Sequence, residues 1–147
     1  MFINYILRSI FILDEHLSWN PHIDCISSKI SRNIGLLCHM KHFIPLRILF
    51  CMYNAFILPY ITYGIEVWGS LILSYAKPIV ILQKRIMRII TSSPRLAPSF
   101  PLFQSLQQLP FDKLYTSKVF IFMYKVEKGI HPRVITEMFV KSENIHN

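Results

Sequence analysis

Apolar residues recur every three or four positions along most of this chain, and prolines divide the pattern into separate helices. From Ile23, the residues Ile26, Ile30, Ile34, Leu37 and Met40 share one stripe, the spacing of an amphipathic α-helix with a single buried face. Asn20 is placed to cap this helix, with Pro21 at its first position and Asp24 in the first turn, where a carboxylate meets the positive end of the helix dipole. The stripe runs out near His42, and Lys29, Arg32 and His39 fall on the opposite side. Pro45 opens a second helix that is apolar nearly all round, Arg47, Cys51 and Asn54 making a thin polar line before Pro59 breaks it. A helix of that kind is expected inside a protein. Residues 60–69 then form an aromatic, turn-rich connector in which Tyr63, Trp68, Gly64 and Gly69 pack the neighbouring helices.

Pro78 begins a third helix running to about residue 91, with Ile79, Leu82, Ile86, Ile89 and Ile90 on its buried edge. Its other side carries Lys77, Lys84 and Arg88 in line, with Arg85 beside them. Three prolines make 92–101 a loop, and a short helical turn over 102–106 follows. Asp112 is placed to cap a last helix over 113–128, whose apolar stripe is Tyr115, Val119, Phe122 and Val126 and whose far side carries Lys118, Lys125 and Lys128. Gly129 and Pro132 stop it. Residues 134–147 form a short frayed helix or a tail. At the other end, residues 2–7 and 10–13 are β-branched and aromatic-rich runs split by Arg8 and Ser9, which fits a strand pair. The expected fold class is therefore mainly α, a bundle of about four helices with a short N-terminal β-strand pair.

Composition adds an environment to this pattern. Of the 147 residues 52% are apolar and 16% charged, respectively high and low for a soluble domain standing alone. A piece of a larger protein has this composition, because faces that a neighbour covers are apolar. The length accommodates one domain with a real core, not two. Lys and Arg total 16 against 8 Asp and Glu, a formal charge of +8, which suits a phosphate backbone or an anionic membrane surface. Residues 48–65 are uncharged over about the minimum length of a spanning helix. Asn54, Pro59, Thr62 and Gly64 interrupt them, which favours a buried helix and turn over a membrane span; a small membrane protein spanning at 48–65 is the minor alternative. The first residues lack a basic region ahead of the apolar run and a small-residue cleavage site after it. The expected location is intracellular, nucleus or cytoplasm, and not secreted.

Candidate chemistry narrows the function classes. Cys25, Cys38 and Cys51 are odd in number and make no Cys-x-x-Cys pair, as expected of buried reduced thiols. Cys38, His39 and His42 lack a fourth partner for zinc. Asp14 and Glu15 are the adjacent carboxylates and belong to a solvated turn. Ser27 and Ser28 lie on a helix instead of a Gly-x-Ser-x-Gly elbow, and no Gly-rich phosphate loop occurs. No catalytic residue, metal, cofactor or small-molecule substrate is expected. Basic side chains at successive turns, in contrast, follow a phosphate backbone without reading bases. Lys77, Lys84 and Arg88 stand at i, i+7 and i+11, and Arg85, Lys29 and Arg32 extend the track, the competing interpretation being a merely solvated helix face. Trp19 and Trp68 are either base-stacking residues or core.

Three phrases in a fixed order carry a resemblance. They are Asp14-Glu15-His16-Leu17-Ser18-Trp19-Asn20-Pro21-His22-Ile23, Tyr63-Gly64-Ile65-Glu66-Val67-Trp68-Gly69 and Leu82-Gln83-Lys84-Arg85-Ile86-Met87-Arg88-Ile89-Ile90-Thr91. Together, over about residues 10–132, they resemble the stretch just after the catalytic domain in reverse transcriptases of non-LTR (LINE-type, jockey-like) retrotransposons. The resemblance implies that 1–19 is a remnant of the last palm strands, 20–132 a helical thumb-like domain and 133–147 a tail. It implies an ancestral role in gripping template RNA and nascent DNA. Such RNA-directed DNA polymerases hold a pair of Mg2+ ions about 4 Å apart between two carboxylates, in an aromatic-Ala-Asp-Asp turn upstream of the first phrase. This sequence has no such turn, and Ile10 stands where the family's Leu-Gly-Val phrase has glycine. The resemblance therefore implies a chain that is inert on its own, whose partners are an RNA/DNA template-primer and an upstream palm and fingers. A repurposed nucleic-acid- or partner-binding helical domain is the alternative.

Overall fold

The computed structural model describes Ile12, residues 18–69 and residues 76–139. These fold into eight helices: α1 (Asn20–Met40), α2 (Leu46–Phe56), α3 (Leu58–Thr62), α4 (Ile65–Trp68), α5 (Lys77–Ile90), α6 (Ser99–Ser105), α7 (Phe111–Glu127) and α8 (Arg133–Glu137). The mainly α fold holds, but the count of about four matches only the long helices α1, α2, α5 and α7. The other four have seven residues or fewer, too short to leave a periodic signal. No strand occurs among the described residues, and the expected strand pair at 2–7 and 10–13 lies outside them apart from Ile12.

The packing of α1 against α5 forms the centre. Ile23, Ile26, Ile30, Ile34 and Leu37 of α1 are buried, and α5 answers with Ile79, Ile86, Met87 and Ile90. Each such side chain contributes about 1.5–3 kcal/mol by leaving water. Two polar residues are buried with them, His22 of α1 and Gln83 of α5. Gln83 of α5 donates from Nε2 to the Tyr53 hydroxyl of α2 at 3.2 Å and to the Leu109 carbonyl at 3.1 Å, so its burial is compensated. Burial raises the Tyr53 hydroxyl above its ordinary range, the Gln83 bond acting in the opposite direction.

Helix ends differ in detail from the sequence expectation. Trp19, not Asn20, occupies the α1 N-cap, and Pro21 lies within the first two helical positions. Three helices end on a left-handed residue followed by an amide that bonds five residues back: Ser92 (φ 52°), Gln107 (φ 52°) and Gly129 (φ 64°). This is the Schellman closure, which satisfies carbonyls that the last turn leaves over. Pro59 has no amide proton to donate, so the helix that began at Leu46 stops at Phe56 and restarts as α3. The uncharged stretch 48–65 is thus divided among α2, α3 and the start of α4, and among the described residues no helix is long and apolar enough to cross a membrane.

α2 departs most from expectation. It is a surface helix that buries only Leu49 and Tyr53, leaving Leu46, Ile48 and Phe56 about half exposed. Its neighbours cover one side only. α7 behaves likewise: Phe111 and Val126 are buried, the expected stripe of Tyr115, Val119 and Phe122 is half-buried, and Phe120 and Tyr124 face outward.

Candidate nucleic-acid interface

On α5 the residues opposite the buried edge are Lys77, Ile81, Lys84, Arg85 and Arg88. Beside them, the C-terminal end of α1 and the loop after α5 close a groove of about 540 Å3. Arg85 and Arg88 come from α5, Lys41 from the α1 C-cap and Arg95 from the loop, over a floor that includes Cys38 and Ile89. Four cations therefore meet, and no acidic side chain among the described residues lines the groove. Two helix C-termini also point here, each worth about half a negative charge. They offset roughly one of the four positive charges, leaving a strong anion preference.

The loop that carries Arg95 is tied down. Arg88 donates from Nε to the Ala97 carbonyl at 2.9 Å, the Ser93 amide bonds the Arg88 carbonyl at 2.9 Å, and the Thr91 and Ser93 hydroxyls are 2.8 Å apart. Arg88 is half-buried by this work, yet its guanidinium carries further donors for a ligand.

The six basic residues singled out from sequence do not form one continuous row. Arg85 and Arg88 line the groove, and Lys77 and Lys84 are exposed along the same side of α5. Lys29 stands apart, in a second cleft, with its ammonium 5.5 Å from the centre of the Tyr60 ring. Twelve residues separate it from Lys41, roughly 18 Å along a helix, and Arg32 is exposed between them. Lys41 and Arg95 were not singled out because neither stands in register with the α5 row. The tryptophans resolve as packing residues: Trp68 is fully buried and Trp19 half-buried.

His22 lies between those tryptophans, edge-on to both at 5.6 and 5.8 Å. Burial, and after it the Lys29 ammonium, holds this imidazole below its ordinary value of 6.5. The unfolded chain therefore takes up a proton at His22 before the folded one does. His22 should contribute stability above pH 6.5 that is lost as pH falls through the lowered folded value. Urea midpoints are expected to drop between pH 7.5 and 5, and the drop should be smaller in His22→Asn; equal drops in both would contradict the assignment.

Asp14 and Glu15 lie outside the described residues. Among the described residues, no group of three or more His, Cys, Asp or Glu side chains is placed to hold a metal ion. Cys25 and Cys38 are half-buried and Cys51 is exposed, all as free thiols, which corrects the expectation that all three are buried. Compared with known proteins, the chain matches no family model, no curated protein and no solved structure.

Proposed function

We propose that this chain is a non-catalytic helical domain that grips the phosphate backbone of nucleic acid. The observation that carries this reading is the meeting of Lys41, Arg85, Arg88 and Arg95, from three separate segments, in one groove that no acidic side chain among the described residues lines. Sequence-independent binding needs this arrangement, since it neutralises phosphates without presenting groups to base edges. The likeness of the three sequence phrases to the post-catalytic part of jockey-like reverse transcriptases supports the same role, a thumb-like hold on template RNA and nascent DNA. Nucleotidyl transfer is assigned to an upstream palm and not to this chain. With Mg2+, an RNA template and a DNA primer, the purified chain is expected to bind the template-primer in a fluorescence-anisotropy titration and to extend no primer. Extension of the primer, or absence of binding at low salt, would overturn the proposal.

A second reading, a partner-binding domain, is favoured by one observation. Phe120, Met123, Tyr124, Met138 and Phe139 surround a groove of about 600 Å3 between α7 and the end of the described chain, with Met138 75% exposed. Apolar surface of this kind marks a face that a neighbour covers. It is compatible with the grip, because it lies on other helices.

A further inference from the structure

We propose that the cleft between α1 and α3 receives one unpaired nucleobase, so that the nucleic acid is single-stranded where it crosses α1. This rests on the reading of the chain as a nucleic-acid grip. One wall is a face of α1 on which His22, Cys25, Ile26 and Lys29 follow at i, i+3, i+4 and i+7. The other is Pro59 and Tyr60 of α3 with Tyr63 at its C-cap, the two tyrosines 37% and 51% exposed, and Ile12 completes the lining. The volume is about 240 Å3, below the ~300–1,000 Å3 of sites for larger ligands, so one ring system fills it.

The lining selects the occupant. Two tyrosine rings and a single ammonium beside apolar walls of Ile12, Ile26 and Pro59 suit a planar ring that carries an anion, which describes a base on its phosphodiester. An aliphatic chain would leave Lys29 unused, and a bare anion would leave the tyrosines unused. Lys29 over the Tyr60 ring also fixes the rim. Bases in a duplex are stacked within it and cannot enter such a cleft without being flipped out. A strand leaving past Lys29 meets Arg32 on the outer face of α1 before reaching Lys41 and the basic groove. The two sites are offset by roughly 18 Å along α1 and lie on different sides of it, Cys38 standing nine positions, or two and a half turns, from Lys29, so the strand passes round the outer face of the helix between them.

Two free thiols report on the two places separately, Cys25 in the cleft and Cys38 in the groove. In a chain carrying only Cys25 (Cys38→Ser, Cys51→Ser) and one carrying only Cys38 (Cys25→Ser, Cys51→Ser), maleimide labelling is timed with and without oligonucleotide. A 12-nucleotide single strand, tested as DNA and as RNA, is expected to slow both thiols at least fivefold. A hairpin-closed duplex should slow Cys38 alone. Adding Tyr60→Ala to the Cys25 chain should remove most of the Cys25 protection. If single strands protect Cys38 but leave Cys25 unchanged, or if the duplex protects Cys25 equally, the base cleft is wrong and the phosphate grip stands. If nothing protects Cys38, the grip itself is wrong, and the base cleft falls with it.

Discussion

Replacing Lys41, Arg85 and Arg95 together by Glu is expected to lower nucleic-acid affinity by more than about 10³-fold. Hydrogen bonds to charged groups contribute about 1.5–3 kcal/mol each. Three of them therefore account for at least that factor at about 1.4 kcal/mol per decade, before the repulsion of the new carboxylates. The control is Lys113→Glu, Lys125→Glu and Lys128→Glu, three exposed cations on or just after α7, away from the groove. Both triple variants have the same net charge, so long-range attraction falls equally in the two. Loss confined to the first variant locates the grip, whereas equal loss in both would mean that bulk charge alone draws the polyanion. Arg88 is left in place because its Nε also holds the Ala97 carbonyl, and its removal would disturb the loop that carries Arg95.

The largest effect on folding is expected at Trp68, where replacement by Ala should cost about 3–5 kcal/mol. That is a large share of the ~5–15 kcal/mol by which a domain is stable. The indole is fully buried, lies 5.8 Å from the His22 ring and 5.7 Å from the Phe111 ring, and donates from Nε1 to the Tyr63 carbonyl at 2.9 Å. It thereby joins α1, α7 and the turn after α3, which also positions the Tyr60 and Tyr63 wall of the cleft. Trp68→Phe should cost less, keeping the ring packing and giving up the hydrogen bond. Urea melts measure both; a loss under about 1 kcal/mol for Trp68→Ala would show that this junction does not hold the fold together. The neighbouring Gly69 fits the same junction, since a Cβ there would run into the Ile65 carbonyl and the Tyr115 ring.

How far the sequence discloses this structure depends on how many residues share one signal. The α1 stripe was legible because Ile23, Ile26, Ile30, Ile34 and Leu37 repeat one period over about four turns, and all five are buried, with Met40 half-buried at the helix end. The α5 edge was legible at Ile79, Ile86 and Ile90, but not at Gln83, a polar residue inside because Tyr53 and Leu109 accept its protons. Burial of α2 was misjudged because apolarity states what a face can do, and the number of covering helices decides what it does. The basic groove was half legible. Arg85 and Arg88 follow from helical spacing, whereas Lys41 and Arg95 reach the same place only through the turn after α1 and the tied loop after α5. A one-dimensional period cannot carry that convergence. The same holds for Tyr63, assigned to packing in the connector and found with Tyr60 on an exposed rim.

Salt dependence of binding tests the central claim most directly, since each phosphate neutralised by a cation releases counterions and adds about −0.9 to the slope of log K against log salt on duplex. For the hairpin duplex, four groove cations predict a slope of roughly −3.6, falling to about −1 in the Lys41, Arg85 and Arg95 variant. A wild-type slope near zero, or one that the triple replacement leaves unchanged, would contradict the account.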